Sequence, residues 1–137
     1  MTKYRLEMTE KQARCLVAAL DLAIRVRLGQ WGEIVEQCLD LEPGKTSIDE
    51  YCKKREEAVN LLFEARRVVM PELQGCACYG VYSKETTERA FNLLLAVRSC
   101  MAWHNEPDGG ITVDFDKPLA VNVSETLPKC EAVEDGQ

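Results

Sequence analysis

The sequence lacks most of the features by which enzymes and membrane proteins are recognised. It has one histidine, His104, and contains no Gly-x-Ser-x-Gly, P-loop or Gly-x-Gly-x-x-Gly motif. No apolar run approaches the ~20 residues of a transmembrane helix, and the first residues lack the apolar segment of a signal peptide. These absences predict a cytoplasmic protein that has no enzymatic activity, cofactor or membrane partner.

The chain also lacks an excess of positive charge. Its formal net charge is −6 and its pI is about 4.9, whereas binding to a nucleic-acid backbone calls for a basic patch. DNA and RNA are therefore not expected partners. A length of 137 residues fits one domain. We expect a single helical domain with short terminal strands over residues 1–123 and an acidic, extended or disordered tail over residues 124–137.

Cysteine is plentiful, but its pattern is not that of a disulfide-rich secreted protein. The chain has seven cysteines, an odd number. Cys15, Cys38, Cys52 and Cys100 fall within apolar helical patterns, where a free thiol packs as a small hydrophobe. Reduced thiols in the cytosol are therefore favoured.

Helical periodicity dominates the chain. Capping boxes begin at Thr9 and Ser47, and Ser83 is predicted to cap the last helix. The predicted helices span residues 10–28, 33–39, 48–69 and 84–103. Residues 3–8 and 111–116 alternate between apolar and polar, which predicts two short strands that pair with each other. The expected fold is mainly α, with three to four helices in a bundle and a small two-stranded antiparallel ribbon.

The segment from Leu16 to Trp31 is apolar on almost every side and still carries Asp21 and Arg25. A helix without a polar face is expected inside a domain or an oligomer, so we predict a homodimer or a higher oligomer. Asp21 and Arg25 are four residues apart and share one face. They form a structural ion pair or they line a polar pocket, and Asp21 can orient Arg25 in either case.

Arginines set in apolar helices, with aromatic residues in nearby loops, predict a ligand pocket. Arginine binds phosphate or carboxylate bidentately and stacks on aromatic planes. In this interpretation Arg25 and Arg98 contact phosphate, and Trp31 and Tyr79 stack on a base. Asp21 and Gln30 orient Arg25 or bind polar edges of the ligand. The predicted ligand-binding residues are Asp21, Arg25, Gln30, Trp31, Tyr79 and Arg98. The alternative is a buried ion pair with aromatic residues in the core.

A different interpretation uses the thiols. Cys76, Cys78, Cys100 and His104 together make a chemically sound zinc set, although their spacing is not that of a common zinc module. Cys100 and His104 are also four apart on one helix, as a thiol enzyme would need. The alternative is a core cysteine and a surface histidine, and we assign no metal and no catalytic residue.

Several motifs resemble those of a family of small phage- and prophage-encoded proteins. They are ALDLAIR at 19–25, LGQWGEI at 28–34, ACYGV at 77–81, AVR at 96–98, TVDFD at 112–116 and SETLPKCE at 124–131. The chain departs from the family pattern at Cys78, where serine is expected, and just after Arg98, where a histidine is expected. The resemblance implies a phage gene that acts in a bacterial cytoplasm, in a family mostly of unassigned function.

These observations favour non-catalytic binding of a small anionic, nucleotide-like molecule. Some small phage proteins act as sponges that sequester nucleotide signals of host immunity, and the same role is expected here by analogy. Two alternatives remain open. One is an interaction protein that inhibits a host protein through an exposed apolar surface. The other is a zinc or thiol enzyme that uses the cysteines and His104.

Overall fold

The protein is mainly helical. The computed structural model describes residues 3–40, 44–118 and 126–133. Its helices are α1 (Glu10–Arg27), α2 (Gly32–Cys38), α3 (Ile48–Val69) and α4 (Glu85–Asn105), with 3₁₀ turns at Val81–Ser83 and Val113–Phe115. The chain divides into two compact units. The first contains Met1–Asp21 and Val81–Gln137, and the second contains Leu22–Gly80.

Two of the predicted helix starts are confirmed. The Thr9 hydroxyl accepts a hydrogen bond from the Gln12 amide at 3.3 Å, and the Gln12 side chain accepts one from the Thr9 amide at 2.9 Å. This reciprocal pair is a complete capping box. The Ser47 hydroxyl accepts from the Glu50 amide at 3.2 Å and caps α3. The third prediction is wrong, because Ser83 ends a 3₁₀ turn and Lys84 is the residue before α4.

The predicted two-stranded ribbon is not present in the part of the chain that the structure describes. Residues 3–9 form neither helix nor strand, and Val113–Phe115 is a 3₁₀ turn. The alternating pattern misled the prediction because Ile111 and Val113 are exposed to solvent. In a strand, adjacent side chains point to opposite faces. The tighter turn instead lets both Asp114 and Phe115 reach α4.

In the first unit, α4 carries the core. Leu94 and Val97 are 2% and 3% exposed. Arg98 Nη2 lies 2.9 Å and 3.0 Å from the two carboxylate oxygens of Asp114. One turn later, Trp103 packs edge-to-face on Phe115 with ring centroids 5.3 Å apart. These two contacts hold the 3₁₀ turn against the second half of α4.

In the second unit, α2 packs on α3 and the end of α1 contributes its apolar side. The buried apolar residues of this unit are Ile24, Leu28, Val35, Met70 and Leu73. An ion pair between Arg55 on α3 and Glu36 on α2 joins the two helices at their surface. Gly29 follows α1 with φ +88°, and a side chain there would meet Leu73 at 2.4 Å. Glycine therefore permits the close approach of the α1–α2 loop to the segment after α3.

The expected burial of α1 is not found within the single chain. Ile24 is its one buried residue, and Cys15, Ala18 and Ala19 are exposed. Cys38 and Cys52 are exposed as well, so the prediction that these helical cysteines pack in the core is wrong for three of four; Cys100 is half-buried. The seven cysteines form no disulfide. No helix in the described ranges combines the length and the apolarity needed to cross a membrane.

The predicted tail lies only partly within the described residues. Positions 124–125 and 134–137 fall outside them. Residues 126–133 form neither helix nor strand, and Leu127, Pro128 and Cys130 are half-buried.

Candidate functional site

A buried arginine organises the loops of the second unit. Arg66, on α3, is 2% exposed. Its Nη1 donates hydrogen bonds to the carbonyl oxygens of Gly29 at 2.7 Å and Ala77 at 3.1 Å, and its Nη2 donates to the carbonyl oxygen of Gly75. Arg66 therefore joins the loop after α1 (residues 28–31) to the loop after α3 (residues 75–79). We call this arrangement the Arg66 clamp.

The charge of Arg66 is compensated by dipoles and by an aromatic ring. Its guanidinium carbon lies 4.7 Å from the centroid of the Phe63 ring, within cation–π range. Within the described ranges, the salt bridges include no carboxylate for Arg66, and its buried Nε has no hydrogen-bond partner. A full positive charge thus lies beneath the two loops, and carbonyl oxygens are its polar partners.

Two further hydrogen bonds fix the loop after α1. The Tyr79 amide donates to the carbonyl oxygen of Leu28 at 2.8 Å. The indole Nε1–H of Trp31 donates to the carbonyl oxygen of Val26 at 3.0 Å. The Val26 carbonyl also accepts from the Gly29 amide at 3.1 Å, so Trp31 is a second donor to a carbonyl group in the last turn of α1. Its ring is therefore anchored at the carboxyl end of α1.

Arg25 lies at the same end of α1 and is only partly buried. Its Nη1 donates to the Gln30 side-chain oxygen at 3.3 Å and lies 3.7 Å from a carboxylate oxygen of Glu33. Gln30 Nε2 in turn lies 3.7 Å from Cys78 Sγ. The Arg25 side chain is 42% exposed and that of Glu33 is 28% exposed. We call Arg25, Gln30, Glu33 and Cys78 the Arg25 cluster.

The structure brings four of the six sequence-predicted ligand residues into one neighbourhood. Arg25 and Gln30 are in the cluster, Trp31 follows Gln30, and the Tyr79 backbone is bonded to the same loop. The other two, Asp21 and Arg98, belong to the first unit. Arg98 has Asp114 as its carboxylate partner, and its role as a ligand residue stays a prediction.

The exposure of Asp21 and Arg25 bears on whether the two residues form a buried ion pair or line a polar pocket. Both residues are intermediate in burial, and both have interacting partners. An arginine that is 42% exposed is not half of a fully buried ion pair. The full burial expected of a core ion pair is therefore not found at Arg25, and the choice between an ion pair and a pocket with Asp21 stays a prediction.

Sequence reasoning missed the most buried charge of the second unit. Arg66 lies three residues after Phe63 and four before Met70, on the apolar side of α3. That spacing places Arg66 on the face of α3 that packs inward. This position was the sequence signal from which its burial could have been predicted. A charged residue at an apolar register position indicates a buried polar network, but its partners are backbone carbonyls from two distant loops, which carry no residue-type signature.

The first unit contains a separate groove along α4. Its volume is about 650 Å³. The α4 residues Ala96, Ser99, Cys100, Trp103 and His104 face Pro118 and the segment 128–132 across it. Cys130 lies in this groove, and its partial burial together with the neighbouring Cys100 thiol raises its pKa to about 11. The thiol of Cys130 is therefore protonated at neutral pH.

The zinc set proposed from the sequence is not assembled. Among residues 3–40, 44–118 and 126–133, no three His, Cys, Asp or Glu side chains are grouped closely enough to hold a metal ion.

Comparison of the chain with protein-family models, with curated proteins and with solved structures finds no match. The contacts within the chain itself therefore carry its functional assignment.

Proposed function

We propose that this protein binds a small anionic, nucleotide-like molecule at the Arg25 cluster and does not transform it. The observation that carries the proposal is the partly exposed Arg25, held by Gln30 on a loop that Arg66 fixes from within the fold. A guanidinium has five N–H donors in a planar fork. An oxyanion can therefore bind Arg25 alongside its protein partners or in place of them.

Rigidity of the surrounding loops supports the proposal. Ordering a flexible loop on binding weakens affinity, and a loop that is already ordered avoids that cost. The Arg66 clamp and the bond from Tyr79 to Leu28 order both loops before any ligand arrives. A small ligand would thus meet a preformed surface.

The charge distribution supports an anion. The buried positive charge of Arg66 is compensated by carbonyl dipoles and the Phe63 ring, and by no carboxylate among the salt bridges of the described residues. Buried charges are screened less by salt than exposed ones. Glu33, whose carboxylate lies 3.7 Å from Arg25 Nη1, opposes an anion at the same place. Removing the negative charge of Glu33 is therefore expected to strengthen the binding of an anion at Arg25.

Trp31 offers an aromatic face on which a planar part of the ligand can stack. Its indole is anchored by the carbonyl oxygen of Val26 at 3.0 Å and lies next to Gln30 in the chain. Tryptophan and tyrosine offer a stacking face together with a polar handle. The proposed contacts are Arg25 to phosphate or carboxylate, Trp31 and Tyr79 to the base, and Gln30 to the guanidinium and to polar edges of the ligand.

A protein that binds a small molecule without transforming it sequesters that molecule. The one histidine, His104, belongs to the first unit and not to the Arg25 cluster. The motif resemblance to small phage-encoded proteins extends the proposal to a nucleotide signal of host immunity in a bacterial cytoplasm. In this proposal the protein acts as a sponge, with the number of sites setting its capacity.

Two measurements test the binding proposal. Protein purified from bacteria is examined by native mass spectrometry, denatured, and its released small molecules are analysed. ADP-ribose and a cyclic dinucleotide are then titrated into the ligand-free protein by calorimetry. We expect a co-purified phosphate-containing molecule or saturable binding of one of the two probes.

Three variants locate the site. Arg25→Ala should weaken binding by about 2 kcal/mol, or roughly thirtyfold, because a charge-assisted hydrogen bond is lost. Glu33→Gln should tighten it, because the opposing charge is removed. Arg27→Ala is the matched control, since Arg27 is exposed on the same helix. Equal losses in the two alanine variants, or full binding by Arg25→Ala, would overturn the proposed site.

A second function is favoured by an exposed apolar stripe on α3. Leu61, Val68 and Val69 are 60%, 83% and 63% exposed, and their spacing of seven and eight residues places them on one side of the helix. We propose that this stripe joins two copies of the chain, as a homo-oligomer would require. Light scattering tests it: Val68→Glu should shift the mass to that of a monomer, whereas Arg67→Glu should not.

A further inference from the structure

The groove of the first unit places two thiols together. Cys100 lines it from α4, and Cys130 lines it from the segment 128–132. Both are half-buried, whereas the other five cysteines are exposed. The groove is thus the one place in the described part of the chain where two half-buried thiols share a cavity.

The surroundings of the Cys130 thiol include the Cys100 side chain. The Cys100 side chain, after burial, is the main cause of the raised pKa of Cys130, and the carboxylate of Glu131 acts in the same direction. His104 and Lys129 also line this groove. The fold therefore brings two residues that are far apart in the sequence to the lining of one groove.

We propose that Cys100 and Cys130 are a modification site, a thiol pair that a low-molecular-weight disulfide such as glutathione disulfide converts into an intramolecular disulfide. The proposal is independent of the Arg25 cluster, which belongs to the second unit. The site takes an oxidant of the disulfide class, and its product is a covalent link between α4 and the segment 126–133.

The chemistry proceeds in two exchanges. Cys100 loses its proton to solvent, and its thiolate attacks a sulfur of glutathione disulfide, which releases one glutathione thiolate and leaves a mixed disulfide on Cys100. Cys130 then gives its proton to the released thiolate or to solvent and attacks the Cys100 sulfur. The second glutathione leaves as a thiol. Two protein thiols are oxidised, and one glutathione disulfide is reduced to two thiols.

The order of the steps follows from the protonation of Cys130. Only a thiolate attacks a disulfide, and Cys130 holds its proton more tightly than an ordinary thiol does. In this proposal Cys100 attacks first, because the raised pKa of Cys130 lowers the share of its reactive thiolate, and Cys130 resolves the mixed disulfide that forms in the same groove. A mixed disulfide on Cys100 is the expected intermediate.

The product would fix one wall of the groove. Residues 128–132 form that wall and lie in a segment with neither helix nor strand. A cross-link stabilises chiefly by restricting the unfolded chain, and the gain grows with the length of the closed loop. Oxidation should therefore raise the unfolding midpoint of the whole protein and protect residues 126–133 from proteolysis.

The test is oxidation of the full chain with glutathione disulfide, followed by alkylation of remaining thiols and peptide mapping without reductant. We expect a linked peptide that contains Cys100 and Cys130, while the five exposed cysteines carry alkyl groups or glutathione. The Cys130→Ser variant should accumulate glutathione on Cys100. The Cys100→Ser variant should show far less glutathione on Cys130.

The matched control is Cys52→Ser, which removes an exposed cysteine on α3 and should leave the Cys100–Cys130 link intact. The midpoint rise on oxidation should appear in the unmodified sequence and in Cys52→Ser, and it should be absent from Cys130→Ser. A link confined to Cys76 and Cys78, or glutathione on both Cys100 and Cys130 without a link, would overturn the proposal.

Discussion

Arg66 Nη1 donates a 2.7 Å hydrogen bond to the carbonyl oxygen of Gly29, which lies 37 residues earlier in the chain. The same guanidinium bonds to Gly75 and Ala77. A single side chain on α3 therefore sets the position of both loops that present the Arg25 cluster. The stability of the second unit and the arrangement of the proposed binding site therefore depend on the same residue.

Replacement of Arg66 by methionine should destabilise the protein by about 3 kcal/mol or more, because hydrogen bonds from a charged donor are worth about 1.5–3 kcal/mol each and three carbonyl groups lose their partner. Urea denaturation measures the loss. The loss of stability for Arg66→Lys should lie between zero and the loss for Arg66→Met, since one ammonium group cannot donate to the carbonyl groups of two loops at once. Arg67→Met, at an exposed neighbour, should change stability by only about 0.5 kcal/mol. A cost below ~1 kcal/mol for Arg66→Met would contradict the clamp.

Alanine at Gly29 should be more harmful than alanine at Gly44. Both glycines have positive φ, +88° and +79°, so both substitutions strain the backbone. At Gly29 the new Cβ would also lie 2.4 Å from Leu73 Cδ1, whereas nothing lies within 4 Å at Gly44. We expect Gly29→Ala to cost about 1–3 kcal/mol more than Gly44→Ala, the usual cost of overpacking. Equal losses in thermal unfolding would show that Leu73 moves aside freely.

Alanine at Gly110 should displace Phe115 from Trp103. A Cβ at Gly110 would lie 2.4 Å from Phe115 Cε2, and Phe115 packs edge-to-face on Trp103. The aromatic near-ultraviolet circular dichroism should weaken, and Trp103 emission should shift to longer wavelength. Gly80→Ala is the control, since nothing lies within 4 Å of a Cβ there. Unchanged spectra in Gly110→Ala would contradict the packing of the 3₁₀ turn on α4.

Cys130 should make stability fall in alkaline solution. Its pKa is raised from 9.0 in the unfolded chain to about 11 in the folded protein, chiefly by burial. The folded state therefore favours the protonated thiol, and this contribution is complete below pH 9 and is lost as the pH rises from about 9 to 11. Urea titrations across this range should show a steeper fall for the unmodified sequence than for Cys130→Ala. Parallel curves would mean that the thiol titrates alike in both states.

Local sequence signals predicted the helices well. Capping boxes at Thr9 and Ser47 fixed two helix starts, and the residue before Pro71 brought α3 to an end close to Val69. These signals act over three or four residues, so they can be seen without knowing the fold. The start of α4 was predicted to within one residue, but Ser83 was wrongly predicted as its cap, since the residue before the helix is Lys84, which makes no side-chain cap.

Features that depend on distant contacts were predicted less well. The alternating segment at 111–116 has the pattern of a strand, but the contacts of Asp114 with Arg98 and of Phe115 with Trp103 favour a 3₁₀ turn. Four of the predicted ligand residues lie near one another because both loops are tied to α3. Arg66, which ties them, was not predicted because backbone carbonyls are present at every residue.

The burial of Arg66 also determines how the contacts within the second unit respond to salt. Arg66 is 2% exposed, and salt screens buried charges less than exposed ones. The surface pair of Arg55 and Glu36, by contrast, depends on an attraction between two partly exposed charges, which salt screens. The loops around the Arg25 cluster should thus stay joined at high ionic strength, after the surface ion pairs of the same unit have been lost.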